Sequence, residues 1–220
     1  MVTIRSSSPR SYTYLDRLLI TLNQSIETLF LKTTASTRTN PAKDLPEAEL
    51  SAKERQLTGS LMRINHVGEI CAQALYQGQA ITARNPTIQY KLTQAAHEEN
   101  DHLAWCQQRL NEVNAHPSYL NPLWYIGSFV IGATAGLCGD QWSLGFLAET
   151  ERQVAKHLDN HLQKLPIDDA KSRQILLQMH MDETQHATTA IEAGAALLPE
   201  PIKIAMQWTS KVMTSVAYWI

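Results

Sequence analysis

The stretch His97-Glu98-Glu99-Asn100-Asp101-His102 places two imidazoles and three carboxylates in six positions, and MHMDETQHATTA, residues 179–190, repeats the arrangement. In a helix each side chain turns by about 100°, so directions can be assigned. With Glu99 as zero, Leu92, Ala95, Ala96, Leu103, Cys106 and Leu110 fall within about 60° of it, which puts Glu99 in the middle of an apolar stripe. His102 lies about 60° to one side and also faces inward. His97 and Asp101 point about 160° away and Glu98 about 100° away, beside Lys91 and Gln94, so these three read as solvated surface. In the second stretch Glu183 and His186 are the inward pair, flanked by Leu176, Met179, His180, Ala187, Ala190 and Gly194, with Asp182 and Gln185 in the outward places. One Glu-x-x-His alone is a weak signal, because a lone buried glutamate is costly and ordinarily lies on the surface. Two on core faces have a chemical purpose.

The helix ahead of each pair supplies one more acid. Glu69 precedes Glu99 by 30 residues and Glu151 precedes Glu183 by 32, so the halves read as an internal repeat. Glu151 shares its face with Leu144, Leu147, Val154, Leu158 and Leu162, whereas Glu149 faces the side of Arg152, Lys156 and Asn160, which selects Glu151. Glu69 sits with Met62, Asn65, Ala72 and Tyr76, a less cleanly apolar face, so its assignment rests partly on the repeat. His66, about 60° from Glu69, reads as a satisfied histidine of the outer shell or the surface. Four carboxylates and two imidazoles converging without cations would repel and be heavily desolvated. Two divalent cations balance four negative charges. Glu from each of two helices with Glu-x-x-His from the other two is the ligand set of ferritin-like di-iron and di-manganese bundles. Zinc prefers fewer ligands and often sulfur, while iron and manganese are not separated by this pattern.

The elements that must carry these residues are helices. Leu15, Leu18, Leu19, Leu22, Ile26 and Leu29 recur at helical spacing, which predicts an amphipathic helix from about Tyr12 to Leu31. Residues 32–46, rich in Thr, Ser, Asn, Pro and Lys, read as a linker. The body begins near Ala48, with helices predicted over about 49–83, from Pro86 with Asn85 as N-cap to about Asn114, over about 141–164 until Leu165-Pro166, and from a cap at Asp168 to a point before Pro199. No segment alternates with period two. The expected fold is therefore all-α, a ferritin-like four-helix bundle with extra amphipathic and apolar helices. Residues 1–47 form the N-terminal helix and linker, and residues 48–220 the metal-binding domain, with an apolar crossover at 113–140 and a C-terminal amphipathic helix at 201–220.

With 220 residues and 44% hydrophobic content, the chain can bury one sizeable core. A net charge of −2 and no basic stripe argue against nucleic acid. Cys71, Cys106 and Cys138 lack CxxC spacing, so buried free thiols in a reducing compartment are expected. Arg5, Arg10 and scattered serines precede no continuous apolar segment with a cleavage site, so no secretory signal is read and the expected compartment is the cytoplasm.

NHVGEI around Glu69, EENDH around Glu99, LAETERQVAKHL around Glu151 and DETQHA around Glu183 together resemble the demethoxyubiquinone hydroxylase family of ubiquinone biosynthesis, from about residue 50 to the C-terminus. The resemblance implies a di-iron monooxygenase that adds a hydroxyl to the ring of 2-polyprenyl-3-methyl-6-methoxy-1,4-benzoquinol. It also implies two Fe ions, Fe2+ when reduced, with O2 as co-substrate. Glu99 and Glu183 would bridge the metals, with Glu69 and Glu151 as terminal carboxylates and His102 and His186 one on each iron. Some family members carry His-Tyr where this chain has His157-Leu158, so a tyrosine role at that position does not carry over to this chain.

The rest of the chain bears on a lipid-tailed substrate. No Asp, Glu, Lys or Arg occurs between Glu112 and Asp140. The 16-residue apolar run Leu123–Cys138 is shorter than the ~20 residues that span a bilayer, so an interfacial helix and a crossover packed on the bundle stand as equal readings. Near the C-terminus Ile202, Ala205, Trp208, Val212, Val216 and Trp219 form one stripe opposite Lys203, Gln207 and Lys211, suited to a headgroup boundary or a homo-oligomer interface. Expected partners are thus the polyprenyl quinol, peripheral contact with the cytoplasmic face of the cell membrane and other ubiquinone-biosynthesis proteins. No GxGxxG or flavin signature occurs, so electrons come from an external reductant, with direct NADH docking left open. Other ferritin-like activities, a peroxidase or catalase or an iron-binding ferroxidase, are the alternative.

Overall fold

The structure, a computed structural model, describes residues 14–30 and 38–220. The predicted helix positions Tyr12 and Leu31, the residues Arg5 and Arg10, and the side chains of Leu15 and Leu18 lie outside what is described. Seven helices follow one another: α1 (Tyr14–Phe30), α2 (Ala52–Thr82), α3 (Pro86–Glu112), α4 (Asn121–Leu137), α5 (Asp140–Lys164), α6 (Ala170–Glu192) and α7 (Glu200–Ala217). Among the described residues there is no strand. Helices α2, α3, α5 and α6 form the bundle, α2 with α3 and α5 with α6 as two hairpins. Helix α4 crosses between the hairpins and packs on α2, α1 lies against α2 and α4, and α7 against α2 and α5.

Local chemistry sets the helix ends. Ser51 and Glu54 form a capping box, with Ser51 N–H donating to Glu54 Oε2 at 2.9 Å, so α2 starts at Ala52 rather than near residue 49. Asn85 caps α3 and Pro86 opens it, while Asp140 accepts from the N–H groups of Arg84 and Asn85 at 3.0 and 2.9 Å and ties that turn to α5. Asp169, not Asp168, caps α6, accepting from Ser172 N–H at 3.1 Å. The choice follows from burial, because Asp169 also accepts from Arg109 at 2.9 Å and from Thr58 at 2.8 Å. Helix α6 stops at Glu192, well short of Pro199, because Gly194 takes φ +95°, which turns the chain out of the helix.

Two apolar clusters fill the bundle. One gathers Met62, Trp105, Cys106, Leu110, Leu158, Leu176 and Met179; the other gathers Ala72, Tyr76, Leu92, Leu144, Leu147 and Ala190. The six acids and imidazoles singled out above fall between them along every helix, so the core seals the middle layer from both ends. The crossover is held close by glycine: a Cβ on Gly78 would overlap the backbone of α4, and one on Gly132 the backbone of α2. Tyr125 and Gly132 face inward, while Leu123, Ile126, Val130 and Leu137 are exposed. Helix α7 behaves alike, for its predicted stripe leaves Trp208 63% and Val212 56% exposed, and Met213 and Ala217 pack inward instead. Among the described residues no helix is long and apolar enough to cross a membrane.

Candidate metal centre

Glu69 on α2, Glu99 and His102 on α3, Glu151 on α5, and Glu183 and His186 on α6 meet in the sealed middle layer. The five residues other than His186 are at most 3% exposed. Their oxygen and nitrogen atoms fall into two groups, each with members within 4.8 Å of one another: Glu69, Glu99, His102 and Glu183, and Glu99, Glu151, Glu183 and His186. Glu99 and Glu183 belong to both. His102 Nδ1 lies 2.9 Å from Glu99 and 3.2 Å from Glu183, and His186 Nδ1 lies 3.3 Å and 3.4 Å from the same two carboxylates.

The outward nitrogens of both imidazoles have partners that helix faces alone did not reveal. Asp182, assigned above to an outward position, meets His102 Nε2 at 2.9 Å, and Glu98, assigned to solvated surface, meets His186 Nε2 at 2.6 Å. Each comes from the opposite hairpin, so the two halves brace each other's ligand. Asp101, also read as solvated, is only 1% exposed, because the chain before the bundle folds over it and Arg38 N–H donates to it at 3.4 Å. Glu149 too is buried, and accepts from Gln153 at 2.8 Å. His66 is not at the surface: it is buried outside the two groups, and burial lowers its pKa to about 4.

Electrostatics show what the six side chains lack. Burial holds the carboxyls of Glu69 and Glu151 well above the usual range, and neighbouring glutamate charges add to this. Burial pushes Glu99 and Glu183 the same way, but the facing imidazoles outweigh it and hold both low. Both histidines are raised despite burial, by the carboxylates around them. Without cations the layer thus balances its charge only by keeping protons on Glu69 and Glu151, and Glu99 Oε1, Glu151 Oε1, Glu183 Oε2 and His186 Nδ1 are buried with no hydrogen-bond partner. Lone pairs converging from two sides in a dry layer fit a pair of hard or borderline cations.

A cavity of about 760 Å3 opens from this layer, bounded by α2, α4, α5 and α7. Glu69 is the only one of the six to line it. Its wall is mainly apolar, and exposed Leu123, Ile131 and Ile202 also line it. Its polar members include Asn65, which shares the helix face of Glu69, and His157. His161 Nδ1 lies 2.9 Å from Asn65 Oδ1, and the His157 and His161 ring centroids are 3.9 Å apart.

The family described as ubiquinone biosynthesis protein COQ7 matches residues 56–217. A 3-demethoxyubiquinol 3-hydroxylase of Nitrosococcus oceani is 55% identical over 211 residues, covering 96% of this chain and 99% of that protein. The namesake from Nitrosospira multiformis is 57% identical over 206 residues, 94% and 99% of the two chains. That of Azotobacter vinelandii is 54% identical over 214 residues, 97% and 100%. With its four motifs spread over the whole matched region, this chain belongs to the COQ7 family of ubiquinone biosynthesis proteins.

Proposed function

We propose that this chain is a di-iron monooxygenase that hydroxylates the ring of 2-polyprenyl-3-methyl-6-methoxy-1,4-benzoquinol. The observation that carries the reading is the division of six side chains into two groups sharing Glu99 and Glu183. It supports Glu69, Glu99, His102, Glu151, Glu183 and His186 as the side chains that would hold two irons, Glu69 and His102 on one side, Glu151 and His186 on the other, with Glu99 and Glu183 common to both. Bound there in the reduced state, two irons supply the activation of dioxygen. The overall change replaces a ring C–H by C–OH and releases one water, consuming O2, two protons and two electrons from an external reductant such as NADH.

The chain's own residues place the substrate. The cavity admits a flat ring to Glu69, and its apolar wall takes an isoprenoid tail. Burial lowers His157 to a pKa of about 4, so at neutral pH its imidazole is uncharged, and its buried Nε2 has no partner. It can accept a hydrogen bond from a quinol hydroxyl. The apolar clusters above and below keep water from the metal layer. Exposed Leu22 and Ile26 on α1, Val130 on α4 and Trp208 on α7 support a peripheral position on the cytoplasmic face of the membrane, where the prenyl substrate resides.

The test is incubation of iron-loaded protein with the demethoxy quinol, oxygen and a reductant, followed by mass spectrometry of the quinol. The expected product carries one added oxygen. Glu99→Ala and Glu183→Ala should form none and lose bound iron while keeping the helical circular dichroism spectrum. Full iron content in both variants would overturn the ligand assignment.

A further inference from the structure

We propose that Arg38, from the chain ahead of the bundle, is a positioning residue for the His102 half of the metal centre and makes the two metal positions unequal. The inference rests on the di-iron reading above. Arg38 Nη2 lies 2.7 Å from Asp182 Oδ2, the oxygen that meets His102 Nε2 at 2.9 Å. The other oxygen of Asp182 accepts from Gln178 at 3.0 Å, so this carboxylate is held by three side chains. The guanidinium also lies 5.0 Å from the Trp105 ring centroid, and that ring is 5.4 Å from the His102 ring. Arg38 N–H donates to buried Asp101 at 3.4 Å, which fixes the backbone at the same point.

The matching acid of the other half is more open. His186 Nε2 meets Glu98 at 2.6 Å, yet the Glu98 side chain is 53% exposed against 19% for Asp182. Among the described residues no Lys or Arg lies within ion-pair distance of Glu98. The internal repeat therefore duplicates the ligands but not their surroundings.

The consequence is electronic. An imidazole N–H that donates to a carboxylate becomes a stronger donor to a metal on its other nitrogen. A guanidinium on the same carboxylate oxygen draws charge away and weakens that effect, and its positive charge, held across the Asp182 oxygen from His102, disfavours the oxidised metal. Both effects raise the reduction potential of the His102 position, so loss of Arg38 must lower it.

Full-length protein loaded with iron tests this, as wild type, Arg38→Gln and Arg38→Lys, by iron count, dye-mediated reductive titration and Mössbauer spectra of the oxidised form. Expected for Arg38→Gln are two irons per chain, a lower midpoint potential, and a shift in one of two quadrupole doublets while the other stays. Arg38→Lys, which restores the charge, should move both readouts back toward wild type. Two irons with unmoved potential and doublets in Arg38→Gln would overturn the proposal alone, as would equal movement of both doublets. Should Arg38→Gln lose iron, Arg38→Lys decides: iron retained with the wild-type spectrum supports the charge role, and iron lost again overturns it. A wild-type chain that binds no iron would overturn the di-iron reading and this proposal together.

Discussion

If the middle layer is built for cations, its acids must burden the fold when no cation is bound, and Glu151→Gln measures that burden. Glu151 is 1% exposed, Oε1 has no donor, and burial followed by the charge of Glu183 raises its pKa well above the ordinary 4.5. Folding without metal therefore favours the protonated form. While the folded group keeps its proton, each pH unit above that ordinary value costs roughly 1.4 kcal/mol, so two such units cost about 3 kcal/mol. The sign is fixed: a carboxyl raised in the folded state carries no penalty below its unfolded pKa, and the penalty grows as pH rises above it. Glutamine keeps the shape without the charge. Metal-free Glu151→Gln should thus be about 2–3 kcal/mol more stable than wild type at pH 7, a melting point higher by roughly 5–10 °C for a chain of this length. The gap should close as the pH approaches 4.5. Thermal melts in chelator at pH 7 and pH 5 read both effects, and added Fe2+ should raise the wild type more than the variant. A variant that melts at or below the wild type at pH 7, or by the same margin at both pH values, refutes the reasoning.

Three further outcomes follow from other parts of the fold. Gly68 lines the cavity beside Glu69, and a Cβ there meets nothing within 4 Å, so Gly68→Leu should keep two irons but cut quinol hydroxylation by roughly tenfold or more, seen as product against iron content. Arg109→Met removes the guanidinium that meets buried Asp169 at 2.9 Å and should cost about 3–5 kcal/mol in denaturant unfolding. Trp208→Ser, at a site 63% exposed, should leave the melting point unchanged but weaken flotation with phospholipid vesicles by roughly tenfold, since a buried aromatic is worth about 1.5–3 kcal/mol.

How far the molecule was legible depends on whether a property belongs to one helix or to two. Periodicity belongs to one, and it placed α2, α3, α5 and α6 and turned Glu99, Glu151 and Glu183 into the core, because an acid in the middle of an apolar stripe has one direction to face. The helix ends were read less well. Asp169 rather than Asp168 caps α6 because a buried arginine 60 residues away holds it, and no local propensity encodes that partner.

The same limit explains the misplaced acids. Measured on their own helices, Asp101, Asp182 and Glu98 point away from the stripe, and that geometry is correct. What it omits is that a bundle face turned from one neighbour can be turned toward another. Asp182 is 80 residues from His102 and 144 from Arg38, and Asp101 is covered by chain that precedes the bundle. An imidazole at a metal needs an acceptor for its second nitrogen, and a buried one cannot take it from water. Once His102 and His186 are set on core faces, each needs such an acceptor, and in both cases an acid across the interface supplies it. The acid directly before each opposite Glu fills that place: Asp182 precedes Glu183, and Glu98 precedes Glu99. That pairing was available from sequence, as a requirement of the chemistry rather than of the helix.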